Sequence, residues 1–367
     1  MAELKTETIT VNFGPQHPST HGVLYLLVEL SGEIIVHIEA NIGYLHRSFE
    51  KLAEYRHYNQ FSAMLDRADY MSAFFNETAF NLAIEKIAGV RVPERAEYLR
   101  VILMELNRIS SHLLFYGTYG LDIGAQTPFL YAFREREKIL DLFDMAAGYR
   151  MTPNYIRVGG VKEDVTDEFL DASLKFCAEL PGFVSDYEGL LTGNEIFQLR
   201  TQGLGLMEPA DAINFGLTGP VLRATGVDWD LRRDDPYGIY DRFEFEIPVF
   251  ENGDCFDAYR IRLKEMLESA KIVKQAIDSL PDGPVRLDLP IIPKPPRGEA
   301  YARVESPRGE LGMYVVSDGS EYPWRAKVRP PSFVNLAALP HIAKGWKIAD
   351  LVAYVGVLDI VLGEIDR

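Results

Sequence analysis

Residues 93–117 read PERAEYLRVILMELNRISSHLLFYG, and this stretch decides the fold. Pro93 stands where a helix can begin at no cost in backbone hydrogen bonds. Beyond it Leu99, Ile102, Leu103, Leu106, Ile109, Leu113 and Leu114 recur at the three-and-four spacing of one helix face. A face that broad belongs to a helix buried inside a bundle. Toward the N-terminus the same period runs through Leu52, Tyr55, Ala73, Phe74, Ala79, Phe80, Ala83, Ile84 and Ile87, and predicts two stacked helices meeting near residues 65–69. Toward the C-terminus, helices are expected over 129–149, from the acidic start at 164–168 to about 190, and over 258–280, where Pro281-Asp282-Gly283-Pro284 stops the chain. Residues 117–128 and 215–235, rich in helix breakers or turn formers, are expected to be loops. The first of them carries Asp122 between Leu121 and Ile123, where a carboxylate is costly unless paired.

The two ends of the chain change period. Residues 9–13 and 23–30 read as the strands of a hairpin, 33–39 as a third strand, and Ser48 as the cap of the first helix. Residues 301–304, 310–317 and 324–328 read as a small sheet with a turn at 317–320, followed by short helices over 333–342 and 348–357. The class is therefore α+β: a mostly helical bundle with a small N-terminal antiparallel sheet and a C-terminal β element. The expected division is 1–47 as a β-subdomain, 48–280 as the helical core, 281–300 as a proline-rich linker, and 301–367 as a C-terminal β and helix element.

Bulk properties narrow the function. With 367 residues, 47% hydrophobic and 25% charged, the chain can bury a large core. Its net charge of −16 and pI near 5.0 argue against a nucleic-acid binder or a basic lipid-binding face. The two cysteines, Cys177 and Cys255, offer neither a disulfide framework nor ligands enough for a zinc or iron–sulfur site, so no metal is expected on this chain. Residues 1–7 do not read as a secretory signal. The most apolar segment, 351–365, is too short for a span and is broken by Asp359 and Glu364, so membrane contact is expected only through partners. The Gly203-Leu204-Gly205-Leu206 run lacks the lysine of a phosphate loop and is discounted.

The candidate chemistry lies in residues 13–22, FGPQHPSTHG. Glycine and proline at both ends make this a loop aimed by the hairpin strands, and it holds His17 and His21. On residue type alone, these histidines serve as readily for surface or capping roles as for reaction. Tyr70, taken alone, reads as a buried helix aromatic.

Taken together, residues 13–22, Gly43-Tyr44-Leu45-His46-Arg47-Ser48-Phe49-Glu50-Lys51, Asp66-Arg67-Ala68-Asp69-Tyr70, Tyr155-Ile156-Arg157-Val158-Gly159-Gly160-Val161, Glu310-Leu311-Gly312 and 358–367 resemble the NuoD family of respiratory complex I, the proton-pumping NADH:quinone oxidoreductase. The resemblance covers nearly the whole chain, and that family is similar in turn to the large subunit of nickel–iron hydrogenases. Where a hydrogenase has its two cysteine pairs, this sequence has Asp69 and Ser72, then Val361 and Glu364. No soft thiolate remains to hold nickel or iron. A hydrogenase-like helical bundle with an emptied metal site, now the end of a quinone cavity, is what the resemblance implies.

By the same resemblance the quinone headgroup would sit between His21 and Tyr70, with Asp122 paired to His21. A phenol and an imidazole suit a substrate that takes up two protons with its two electrons. His17, Gly22, Asp359, Val361 and Arg367 would line or brace the cavity. Arg47 and Thr152 would face a 4Fe-4S cluster held by the neighbouring B-type subunit of the complex. The C-type subunit and the membrane-embedded H-type subunit would be further partners, NAD and FMN would be bound elsewhere in the complex, and the whole would sit on the cytoplasmic side of a bacterial membrane. Two departures stand out: Thr152 replaces a histidine usual in the family, and Pro296 runs directly into Arg297 where a longer helical segment is usual, about thirty residues by that comparison. A complex fed by ferredoxin or F420 in place of NADH, and a purely structural scaffold role, are the competing readings.

Overall fold

A computed structural model describes residues 7–16 and 22–367. Three N-terminal strands, β1 (Ile9–Phe13), β2 (Tyr25–Ser31) and β3 (Ile34–Asn41), form one antiparallel sheet in that order. Phe13 faces Leu26 and Ile9 faces Leu30, so both ends of the 14–24 connection are fixed by the ladder. On β2, Leu26, Val28 and Leu30 are buried, the alternation expected of a sheet with one face on the core.

The chain then turns helical in three pieces: α1 (Phe49–Ala53), α2 (Tyr58–Leu65) and α3 (Ala73–Ala88). Ser48 does not cap α1 with its side chain. It takes a left-handed conformation, φ 57°, and gives no side-chain cap bond. Glu50 serves the N-terminal turn instead, anchored by Lys327, Arg367 and the Val328 N–H.

Helix α4 (Glu94–Asp122) is the axis of the molecule and is followed by α5 (Thr127–Ala147). The expectation of a loop over 117–128 is corrected by this pair. Gly117 and Gly120 lie within α4 because α5 crosses it closely. A Cβ on Gly117 would meet Phe129 Cα at 3.2 Å, and one on Gly120 would meet Pro128 Cβ at 3.2 Å. These glycines permit backbone approach and do not end the helix. Asp122 is accordingly the last residue of α4.

A two-residue ladder, β4 (Ile156–Arg157) with β5 (Gly160–Val161), precedes α6 (Asp167–Tyr187), whose Thr166 hydroxyl caps the Phe169 N–H. Four short helices follow, α7 (Glu195–Thr201), α8 (Pro209–Asn214), α9 (Pro220–Arg223) and α10 (Leu231–Asp234). The last two fall where a loop was expected. Buried arginines hold them: Arg223 bonds Glu265 at 2.5 Å and Glu305 at 2.9 Å, and Arg232 bonds Asp230 at 2.7 Å. Helix α11 (Cys255–Asp278) starts at the Asp254 cap and packs along α4.

Residues 281–296 carry no helix. The C-terminal sheet is β6 (Gly298–Ser306), β7 (Gly309–Ser317) and β8 (Arg325–Arg329), antiparallel in that order and packed on α3. Short helices α12 (Pro331–Leu336), α13 (Leu339–Ala343), α14 (Leu351–Leu358) and α15 (Leu362–Asp366) bring the chain back to α4 and to the turn between α2 and α3. The class is α+β as expected. No helix among the described residues is long and apolar enough to cross a membrane.

Candidate functional site

The turn between α2 and α3 carries the first group. Asp69 Oδ1 accepts the Met71 N–H at 3.0 Å, which folds the chain over Tyr70. Asn76 and Asn107 donate to the carbonyls of Asp69 and Met71, pinning the turn to α3 and α4. Asp69 and Ser72 are thereby buried, while Tyr70 between them keeps 42% of its surface exposed. Tyr70 is thus neither helical nor buried as its residue type alone implied. Partial burial and the Asp69 carboxylate raise the phenol pKa, with Arg308 pulling the other way, so the O–H stays protonated.

The second group comes from the C-terminus. Asp359 ends α14 in a left-handed conformation, φ 52°, and is nearly buried. The Ser332 hydroxyl accepts the Val361 N–H at 3.2 Å, and Glu364 Oε1 accepts the Ser332 N–H at 3.0 Å. Gly363 lets α15 lie directly on the first turn, since a Cβ there would meet the Ala68 carbonyl at 2.6 Å. The Gly22 Cα, φ 126°, faces Leu362, so the base of the 13–22 loop reaches the same place. Burial and the neighbouring Asp69 push the Glu364 carboxyl up to about 8, against the pull of Arg308.

Arg308 joins the two groups and was not singled out from the sequence. It sits in the Pro307-Arg308 turn of the β6–β7 hairpin, a place where arginine is ordinarily exposed, yet it is 1% exposed. Its Nη1 donates to Asp69 Oδ2 and Ser72 Oγ at 3.1 Å each. Its Nε donates to the Asp359 carbonyl at 2.6 Å and Nη2 to Asp359 Oδ1 at 3.3 Å. Burial opposes its charge, but Asp359 and Asp69 outweigh burial and raise its pKa. The Asp69–Ser72 and Val361–Glu364 positions are therefore neighbours in space, drawn together about a guanidinium.

The remaining candidates surround this centre. Asp122 lies against α14 one turn before Asp359, its Oδ2 3.1 Å from where a Cβ on Gly356 would stand. Arg367 bonds Glu50 at 3.1 Å and covers the Phe333 ring at 4.4 Å. Asp366 accepts the N–H groups of Gly43 and Leu45 at 2.8 and 2.6 Å, tying the C-terminus to the loop that bears Arg47. Arg47 itself is exposed, 5.9 Å from the Phe49 ring centre. Thr152, left-handed at φ 54°, lines one cleft with Tyr70, Arg136 and Arg150. His17 and His21 lie outside the described residues. Among the described residues no three His, Cys, Asp or Glu side chains converge in a way that could hold a metal ion.

Comparison with known proteins places this architecture. The profile of the respiratory-chain NADH dehydrogenase 49 Kd subunit family matches residues 122–294 and 291–367. The chain belongs to that family. A protein of Dehalococcoides mccartyi named as the D subunit of NADH-quinone oxidoreductase is 53% identical over 365 residues, covering 99% of this chain and 100% of its own. Proteins of the same name are 52% identical in Geotalea uraniireducens, over 387 residues and 99% of both chains, and 51% identical in Clostridium beijerinckii, over 365 residues with 100% of this chain and 99% of that one. The family thus contains members as short as this chain and longer ones. The direct Pro296–Arg297 junction falls beside 291–294, where the two family matches meet.

Proposed function

We propose that this chain forms the quinone-reducing end of a proton-pumping NADH:quinone oxidoreductase, beside a 4Fe-4S cluster held by the neighbouring B-type subunit, on the cytoplasmic face of the membrane. The observation that carries the reading is the partly exposed Tyr70, placed on a buried turn that Arg308 ties to the C-terminal Asp359 segment. Quinone is the substrate; NAD and FMN belong to other subunits, and the C-type and H-type subunits complete the surroundings. Two electrons arrive from the partner, and this chain supplies hydrogen-bond donors to the two carbonyls. Tyr70 would donate to one through its phenol, which its surroundings keep protonated. His21 would donate to the other, with Asp122 orienting the imidazole. Asp359, Val361, Gly22 and His17 would shape the wall, and Arg367 would brace it through Glu50. Arg47 and Thr152 would face the cluster.

Tyr70→Phe tests this reading in the intact complex. Removal of one positioned proton donor typically costs about a hundredfold in turnover. Quinone reduction is expected to fall by that order while electron transfer to a water-soluble artificial acceptor is unchanged. Wild-type quinone turnover in the variant would remove Tyr70 from the mechanism and favour a scaffold role.

A further inference from the structure

We propose that Arg308 is the positioning residue of the quinone site, a fixed internal cation that locks the Tyr70 turn to the Asp359 end of α14. The inference rests on the proposed quinone site and names what holds it in register. The guanidinium spreads its bonds over two segments that have no covalent reason to meet. One is the 69–72 turn, through Asp69 Oδ2 and Ser72 Oγ, and the other is Asp359, through both carbonyl and carboxylate. Asp69 is the hinge of the arrangement. Its Oδ2 takes Arg308 and its Oδ1 takes Met71 N–H, so the residue between them, Tyr70, is fixed by the same carboxylate. Any rotation of Asp69 moves the phenol.

Arg308 is itself held from behind. Asn335 donates to its carbonyl at 3.2 Å. A Cβ on Gly219 would overlap that carbonyl at 2.6 Å, and one on Gly309, φ 129°, would meet Thr218 Oγ1 at 2.4 Å. Two glycines are needed for the hairpin to enter so far, which places the cation by backbone contacts and not by a flexible side chain alone. Lysine could not substitute: its single ammonium lacks the planar fork that reaches two segments at once. Displacing a reacting group by about 1 Å costs on the order of a hundredfold in rate.

The test uses the assembled complex, with quinone turnover expressed relative to transfer from the same donor to a water-soluble artificial acceptor. Arg308→Lys, which keeps the charge but not the fork, is expected to lower that ratio about tenfold or more through kcat, with KM for quinone changed by less than about threefold. Arg308→Gln is expected to lower it further. A wild-type ratio in assembled Arg308→Lys overturns the inference. Failure of Arg308→Lys to assemble overturns it too, because the role is then structural only. Tyr70→Phe is measured in parallel. A normal ratio there defeats the quinone-site reading itself, whereas a lowered ratio there with a normal one in Arg308→Lys defeats this inference alone.

Discussion

Glu364→Gln should flatten the pH dependence of stability. Glu364 is 2% exposed, bonds the Ser332 N–H, and has no cation within ion-pair distance among the described residues, since the Arg308 fork is spent on Asp69, Ser72 and Asp359. Its carboxyl is therefore raised to about 8 from an ordinary 4.5. Below 4.5 the group is protonated both folded and unfolded and contributes no pH dependence. Between 4.5 and 8 only the folded chain holds the proton, so this group's stabilisation drains away as pH rises through the folded pKa. At 1.36 kcal/mol per unit the full loss is about 5 kcal/mol. Glutamine keeps the carbonyl acceptor for Ser332 and has no proton to lose. Denaturant unfolding of the purified chain at pH 5 and pH 9 reads the difference. The variant should be about as stable as the parent at pH 5 and more stable by roughly 3–5 kcal/mol at pH 9. Parallel curves for the two proteins would show that Glu364 is ionised in the fold, and the buried-proton account would be wrong.

Gly363→Ala should place a methyl 2.6 Å from the Ala68 carbonyl and force α15 off the Tyr70 turn. A loss of about 1–3 kcal/mol is expected for such overpacking; an unchanged melting temperature would mean the two segments are not in contact. The potential of the cluster proposed to lie beside Thr152 should vary little with pH, because Thr152 carries a neutral hydroxyl in the Tyr70 cleft, and Thr152→His should introduce a pH dependence. Redox titration at pH 6 and pH 8 decides it, a slope near 60 mV per unit in the parent counting against Thr152's place beside the cluster.

Periodicity carried most of the fold because the long helices bury wide faces that a single sequence displays, as from Leu99 to Leu114. It failed at Gly117 and Gly120. A glycine that admits a crossing helix and one that ends a helix are the same letter, and only Phe129 and Pro128, packed across the gap, tell them apart. The 215–235 segment misread for a related reason: one-turn helices have little intrinsic stability, and α9 and α10 exist because Arg223 and Arg232 find carboxylates on other elements. At the candidate site, Tyr70 was proposed through its motif, and the exposure its residue type did not suggest is 42%. Arg308 was not legible at all, since a turn arginine is normally solvated and its acceptors lie 239 and 51 residues away in sequence.

The same residue explains how two distant chain segments are held together at the candidate site. By the resemblance to hydrogenases, Asp69, Ser72, Val361 and Glu364 would stand where thiolates share metals, and these four side chains offer no such shared bond between the segments. Asp69, Asp359 and Glu364, brought into one buried place, would repel unless a cation stood among them. Arg308 meets both needs at once: four hydrogen bonds bridge the segments, and a group that is never deprotonated balances the carboxylates. Glu364, buried and beside Asp69 with no ion pair of its own among the described residues, is raised against the pull of Arg308 and holds a proton. A centre built this way fixes a phenol at its rim, and a fixed proton donor is what the proposed reduction of a quinone would require of this chain.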